Sequence, residues 1–173
     1  MLDKTATETH TLSVLVDNEP GVLARVVGLF SGRGYNIESL TVSEVDAERH
    51  TSRISLSTSG TPMVIEQIKQ QLGKLVPVHQ VKDMTIGPPH VEREMALVKL
   101  LNSGEARVEA LRLADSFRAR TLDSTLDSFV FEVTGNSDKV TAFIGLMGSL
   151  GKIEVARTGV CGITRGNQLD LTD

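Results

Sequence analysis

The chain has 173 residues, 40% of them hydrophobic, 23% charged and 3% aromatic, and its 18 Lys and Arg against 22 Asp and Glu leave a formal charge of −4. That balance withholds the attraction that supplies most non-specific nucleic-acid affinity, and with no Trp and one Tyr the chain offers bases little to stack on. A lone cysteine, Cys161, excludes an intrachain disulfide and suits a reducing compartment. The opening MLDKTATETH has no apolar signal core, and no apolar run approaches the ~20 residues that span a bilayer. A soluble, cytoplasmic chain of one or two domains is therefore expected, long enough to bury a core without staples.

Residues 11–17 alternate, with Leu12, Val14 and Val16 on one face, and are expected to form a strand. Asn18-Glu19-Pro20-Gly21 breaks the alternation. Val22, Leu23, Val26, Val27 and Phe30 then recur at helical spacing. Gly32 and Gly34 are expected to stop that helix, since glycine accepts the left-handed geometry of helix ends. Strands are expected at 36–44 and 52–58, joined by the polar stretch Asp46-Ala47-Glu48-Arg49-His50. Thr61-Pro62 opens a second helix, proline suiting its first turn, with Val64, Ile65, Ile68 and Leu72 inward. A strand over 75–84 carries Val76, Val78 and Val81.

Gly87-Pro88-Pro89 reads as a stiff linker. It divides a first domain, 11–86, from a second, 92–166, with the linker at 87–91 and tails at 1–10 and 167–173. In the second domain Met95, Leu97 and Lys99 alternate with Ala96, Val98 and Leu100, so both faces of that strand are expected to be largely buried. A helix over 104–118 turns Val108, Leu111, Ala114 and Phe117 inward. Strands near 120–125 and 128–134 follow, Phe129, Phe131 and Val133 alternating as core. Ser137 caps a helix with Val140, Phe143, Ile144 and Met147, and Ile153 and Val155 mark a last strand. The order β-α-β-β-α-β thus occurs twice. Two tandem ferredoxin-like units, antiparallel sheets with helices on one face, make the class α+β.

Catalytic templates fail on these residues. His10, His50, His79 and His90 have no metal-ligand spacing with one another or with Cys161. Gly32-Arg33-Gly34 lacks the third glycine of a phosphate loop and follows a helix rather than a strand. Ser31 and Ser39 sit in no nucleophile elbow. Cys161, between Val160 and Gly162, reads as a small buried residue. Neither a catalytic set nor a metal site is expected.

The informative stretch is 17–37, DNEPGVLARVVGLFSGRGYNI. A strand end, a turn and a helix start leave the amides of Gly21, Val22 and Leu23 without helical partners, and such a helix start receives a carboxylate. Gly21 lets a ligand approach the backbone, while Asp17 or Asn18 offers a side chain to its ammonium or carboxylate. Asn18-Glu19-Pro20-Gly21 is also an ordinary turn and helix cap. Arg25, Arg33 and Arg49 read as solvated. Glu92-Arg93-Glu94 reads as a solvated linker edge or a subunit contact.

Three blocks carry a resemblance: LSVLVDNEPGVLARVVGLFSGRGYNIESLTV (12–42), HVEREMALVKL (90–100) and KIEVARTGVCGITRG (152–166). Together they resemble the regulatory, or small, subunit of acetohydroxyacid synthase, also called acetolactate synthase. An acidic residue followed by Pro20-Gly21, Leu23, Val26, Phe30 and Asn36-Ile37 is similar to the signature of the ACT domain. The resemblance implies a non-catalytic subunit without cofactor of its own. Its partner, the catalytic large subunit, would hold thiamine diphosphate, Mg²⁺ and FAD and serve branched-chain amino-acid synthesis. This chain would raise that activity and confer feedback inhibition by valine.

The family's effector positions fall on Asn18, Gly21, Val22 and Leu23 of one protomer and on Asn36 and Ile37 of its partner in a homodimer formed through the first unit. A second reading of Asn36 makes it a left-handed turn residue after Gly34. The second unit has Leu101-Asn102-Ser103-Gly104 where the first has its Pro-Gly turn. The tail 158–166, with Arg157 and Arg165, offers a surface to the large subunit. Two alternatives remain. A free-standing ACT-type sensor of another enzyme or of transcription would need a DNA-binding helix pair or a basic face. An enzyme would need a convergent acid/base set.

Overall fold

A computed structural model of the chain describes residues 6–167 and residue 169. The chain divides into two compact units, one running to Val91 and resuming at Val160, the other spanning Glu92–Gly159. The first contains β1 (Glu8–Asp17), α1 (Val22–Arg33), β2 (Ser39–Asp46), β3 (Thr51–Gly60), α2 (Pro62–Leu72) and β4 (Val78–Asp83). Its sheet is antiparallel in the order β2-β3-β1-β4. Leu12 faces Leu56, and Val14 lies between Ile54 and Val81, which keeps every second residue of β1 on the helix side. Those side chains form one core with Val22, Val26 and Phe30 of α1 and Ile65, Ile68 and Leu72 of α2. Thr61 caps α2 by accepting from the Val64 N–H at 3.4 Å, with Pro62 in its first turn.

Several expectations change at the element ends. β1 begins at Glu8, because Glu8, Thr9 and His10 pair with Gly60, Ser59 and Thr58. Of the expected tail 1–10, residues 1–5 lie outside the described residues, as do 168 and 170–173 of the tail 167–173. Gly32 is helical, and Gly34 alone ends α1, at φ 70°. Val76 is 93% exposed and β4 starts two residues later, since Val78 N–H donates to Leu75 O in a turn first.

The second unit contains β5 from its third residue on (His90–Leu101), α3 (Glu105–Ser116), β6 (Arg120–Ser124), β7 (Ser128–Gly135), α4 (Ser137–Leu150) and β8 (Lys152–Arg157), with the antiparallel order β6-β7-β5-β8. Ala96, Val98 and Leu100 pack with Phe129, Phe131 and Val133, and with Val140, Phe143 and Met147 of α4. Only that face of β5 is fully buried. On the other, Lys99 pairs with Glu154 at 3.1 Å in water and Leu101 is exposed.

The expected face of α3 is also partly wrong. Val108 and Leu111 are exposed, while Ala110 and Ala114 are buried, with Phe117 packed at their edge. The Phe143 ring lies 5.4 Å from that of Phe117 and edge-on to that of Phe131 at 6.1 Å, a bulk that suits alanine rather than larger side chains beneath the helix. Asn136, not Ser137, caps α4, its side chain accepting from Lys139 N–H at 3.1 Å.

The tail 158–166 contains a further strand, β9 (Cys161–Thr164). It packs against β3, with Thr41 Oγ1 donating to Val160 O at 3.4 Å and Arg165 N–H to Pro89 O at 2.8 Å. As a strand it pairs with β5. Cys161 is exposed rather than buried, because alternate residues of this short strand face away from the sheet. Among the described residues, no helix is long and apolar enough to cross a membrane.

Candidate functional site

At the end of β1 the chain is held from two sides. Asp17 N–H donates to Pro77 O at 2.9 Å, and His79 Nε2 lies 2.6 Å from Asp17 Oδ1. Asn18 N–H donates to His50 O at 2.6 Å, and its Nδ2 donates to Glu44 Oε1 at 3.0 Å. One clamp comes from the start of β4, the other from the β2–β3 hairpin. Because Glu44 takes an N–H of the Asn18 carboxamide, that group keeps its Oδ1 as an acceptor.

The helix begins on a glycine for a backbone reason. Gly21 is the N-cap of α1 at φ 87°, ψ −7°, a left-handed position that costs other residues ~1–2 kcal/mol. A Cβ built on it would meet nothing within 4 Å, so conformation rather than crowding selects glycine. No side chain caps α1 and its first turn holds no acidic residue, which leaves the positive end of the helix uncompensated.

The three amides expected to face outward differ. Val22 N–H turns back to Glu19 O at 3.3 Å, a long bond, and the Val22 side chain is buried in the core. Leu23, 41% exposed, presents the next amide and an apolar side chain on the surface. The exposed Gly21 backbone lies beside it.

Asn36 and Ile37 stand apart from this turn within one chain. They follow the far end of α1, whose 12 residues span about 18 Å at 1.5 Å each. Asn36 is exposed, and its carbonyl accepts from Thr58 Oγ1 at 2.7 Å. Ile37 packs partly buried against the first core. Among the described residues, the non-glycine positions with positive φ are His50 and Arg118, so the left-handed reading of Asn36 fails. Gly34 takes that conformation instead.

Sequence reasoning passed over His79, Glu44 and His50, whose groups fix the turn. The signal for His79 was its place in β4. β1 pairs Leu15 with Gln80 and Val16 with Val78, and the register shift between them sets the intervening His79 beside the strand end. Among the described residues no three His, Cys, Asp or Glu side chains are grouped to hold a metal ion.

The family described as the AHAS small subunit-like ACT domain matches residues 12–80, and that described as the small subunit of acetolactate synthase matches 93–166. The probable acetolactate synthase small subunit of Archaeoglobus fulgidus is 47% identical over 159 residues, covering 92% of this chain and 98% of its own. The isozyme 3 small subunit of Escherichia coli is 46% identical over 159 residues, covering 91% and 96%. The crystal structure of the acetolactate synthase small subunit from Thermotoga maritima superposes with a TM-score of 0.81 at 39% identity, over 93% of this chain and 99% of that one. Matched in both halves and along nearly its whole length, the chain belongs to the acetolactate synthase small-subunit family.

Proposed function

We propose that this chain is the non-catalytic regulatory subunit of a cytoplasmic acetolactate synthase, that it activates the catalytic large subunit, and that valine acts through it as feedback inhibitor. The observation that carries this reading is the uncapped start of α1, where left-handed Gly21 follows the clamped Asn18 by three residues. A zwitterion fits that pair. Its carboxylate takes the free amide positions of the first helical turn around Leu23, and its ammonium takes Asn18 Oδ1. Thiamine diphosphate, Mg²⁺ and FAD on the large subunit would supply the condensation chemistry.

The two positions at the far end of α1 give the reading its oligomeric form. Asn36 and Ile37 lie too far from Gly21 to close the pocket in one chain, which supports a homodimer in which each protomer lends them to the other. Valine held across such a seam favours one arrangement of the two protomers, and that preference is the coupling free energy an allosteric effector needs. Isothermal titration of valine into the full chain tests it. Saturable binding that Gly21→Asp removes is expected. A parent chain that takes up no valine, alone or with its large subunit, overturns the reading.

A further inference from the structure

The second unit repeats the strand–turn–helix of the proposed effector site, one residue shorter. β5 ends at Leu101, Asn102 follows, and Gly104 is the N-cap of α3 at φ 65° with no side-chain cap. Both polar atoms of the Asn102 carboxamide, Nδ2 and Oδ1, are buried and without a hydrogen bond, and so is Arg107 Nη1. Arg107 stands in the first turn of α3, its guanidinium carbon 4.0 Å from the centroid of the Phe129 ring. Phe129 pairs with Leu100, and Asn102 N–H donates to Asp127 O at 3.1 Å. Both residues therefore stand at one end of the sheet, beside one helix start.

The chemistry of these orphans is specific. In the first unit the corresponding asparagine spends an N–H on Glu44; here neither end of the carboxamide is used. A buried amide and a buried guanidinium nitrogen without partners destabilise a fold, and folds keep few of them. The set holds donors, Arg107 Nη1 and Asn102 Nδ2, beside one acceptor, Asn102 Oδ1. A simple anion would satisfy the donors and leave the acceptor unmet. An α-amino acid satisfies all three, its carboxylate on Arg107, Nδ2 and the helix start, its ammonium on Oδ1. Glu105 does not compete for the guanidinium, since it lines an open surface depression with Ala106, Val108, Glu109 and Arg112 on another side of α3.

We propose that Asn102 and Arg107 form a second amino-acid site, in the second unit, independent of the one at Gly21. The test uses the full chain carrying Gly21→Asp, screened with each proteinogenic amino acid by thermal shift and then by calorimetry. One of them is expected to bind at one per chain, and to bind ten-fold or more weakly after Arg107→Gln or Asn102→Leu. Asn102→Leu is also expected to melt at or above its parent, because an apolar side chain of similar size removes an unmet amide. That separates lost binding from lost fold.

Three results overturn the proposal: no amino acid binds the Gly21→Asp chain and water alone meets the orphans, inorganic phosphate binds in place of any amino acid, or binding is indifferent to both substitutions. The first-unit reading fails separately, if Gly21→Asp leaves valine binding by the parent unchanged.

Discussion

Gly21→Asp and Gly21→Ala together separate a ligand contact from a backbone requirement. With φ at 87° and no atom within 4 Å of an added Cβ, either substitution costs the fold only its backbone strain, ~1–2 kcal/mol. Aspartate is the milder of the two. It tolerates the left-handed region better than alanine, and its carboxylate at the helix start returns ~0.3–1 kcal/mol through the dipole. A loss of about 1 kcal/mol lowers the melting temperature of a unit this size by roughly 4–8 °C, so both variants stay folded at 25 °C.

Ligand binding should order them the other way. The aspartate carboxylate sits where the valine carboxylate belongs, and losing one charge-assisted bond, ~1.5–3 kcal/mol, weakens affinity roughly ten- to hundred-fold. Alanine offers no rival charge and should bind within a few-fold of the parent. Calorimetric titration with valine, read beside the melting curves, checks both orders at once. The reasoning is refuted if Gly21→Asp binds valine as the parent does, or if binding falls in step with stability across the two variants.

Asn36→Ala and Asn36→Gly should each weaken valine binding roughly ten- to hundred-fold, because both delete the carboxamide offered to the partner protomer while the carbonyl bond to Thr58 survives; an Asn36→Gly chain that titrates like the parent removes the seam contact. His10→Phe removes the side-chain partner that holds Oδ2 of the buried Asp83 carboxylate at 2.9 Å, leaving it only the Thr85 N–H on Oδ1. It should cost about 2–3 kcal/mol, read as a lower urea midpoint, and an unchanged midpoint contradicts it. The Lys69 hydrogen bond, and then its charge, hold the exposed Glu66 carboxyl below its ordinary range. Its small stabilising contribution is therefore present above the unfolded pKa and lost as pH falls through the lowered one, and Lys69→Gln should move the carboxyl resonance of Glu66 to a higher midpoint in an NMR titration.

Where periodicity and burial coincide, the elements are legible from residues alone. Leu12, Val14 and Val16 alternate because one face of β1 meets the core, and Thr61-Pro62 marks α2 because cap and proline act within one turn. The phase of α3 was not legible. Two apolar strips compete on it, and the bulk of the phenylalanines on β7 and α4 decides for the one with Ala110 and Ala114. β9 is short, and the strand it pairs with, β5, lies far off in sequence. The turn at Gly21 could be read as a carboxylate-receiving helix start, but its clamps join residues 26 and 62 positions apart, which spacing cannot reveal. Nor can sequence show that the Asn102 carboxamide is buried without a partner, since that depends on what surrounds it in three dimensions.

Reconstitution with the large subunit tests the central claim most directly: acetolactate formation by the large subunit with thiamine diphosphate, Mg²⁺ and FAD, measured with and without this chain, each with and without valine. A regulatory subunit predicts no product from this chain alone, a rise in rate when the two are mixed, and a fall on adding valine that occurs only in the mixture and disappears with Gly21→Asp. Product from this chain alone, an unchanged rate on mixing, or equal valine inhibition of the large subunit by itself would contradict it.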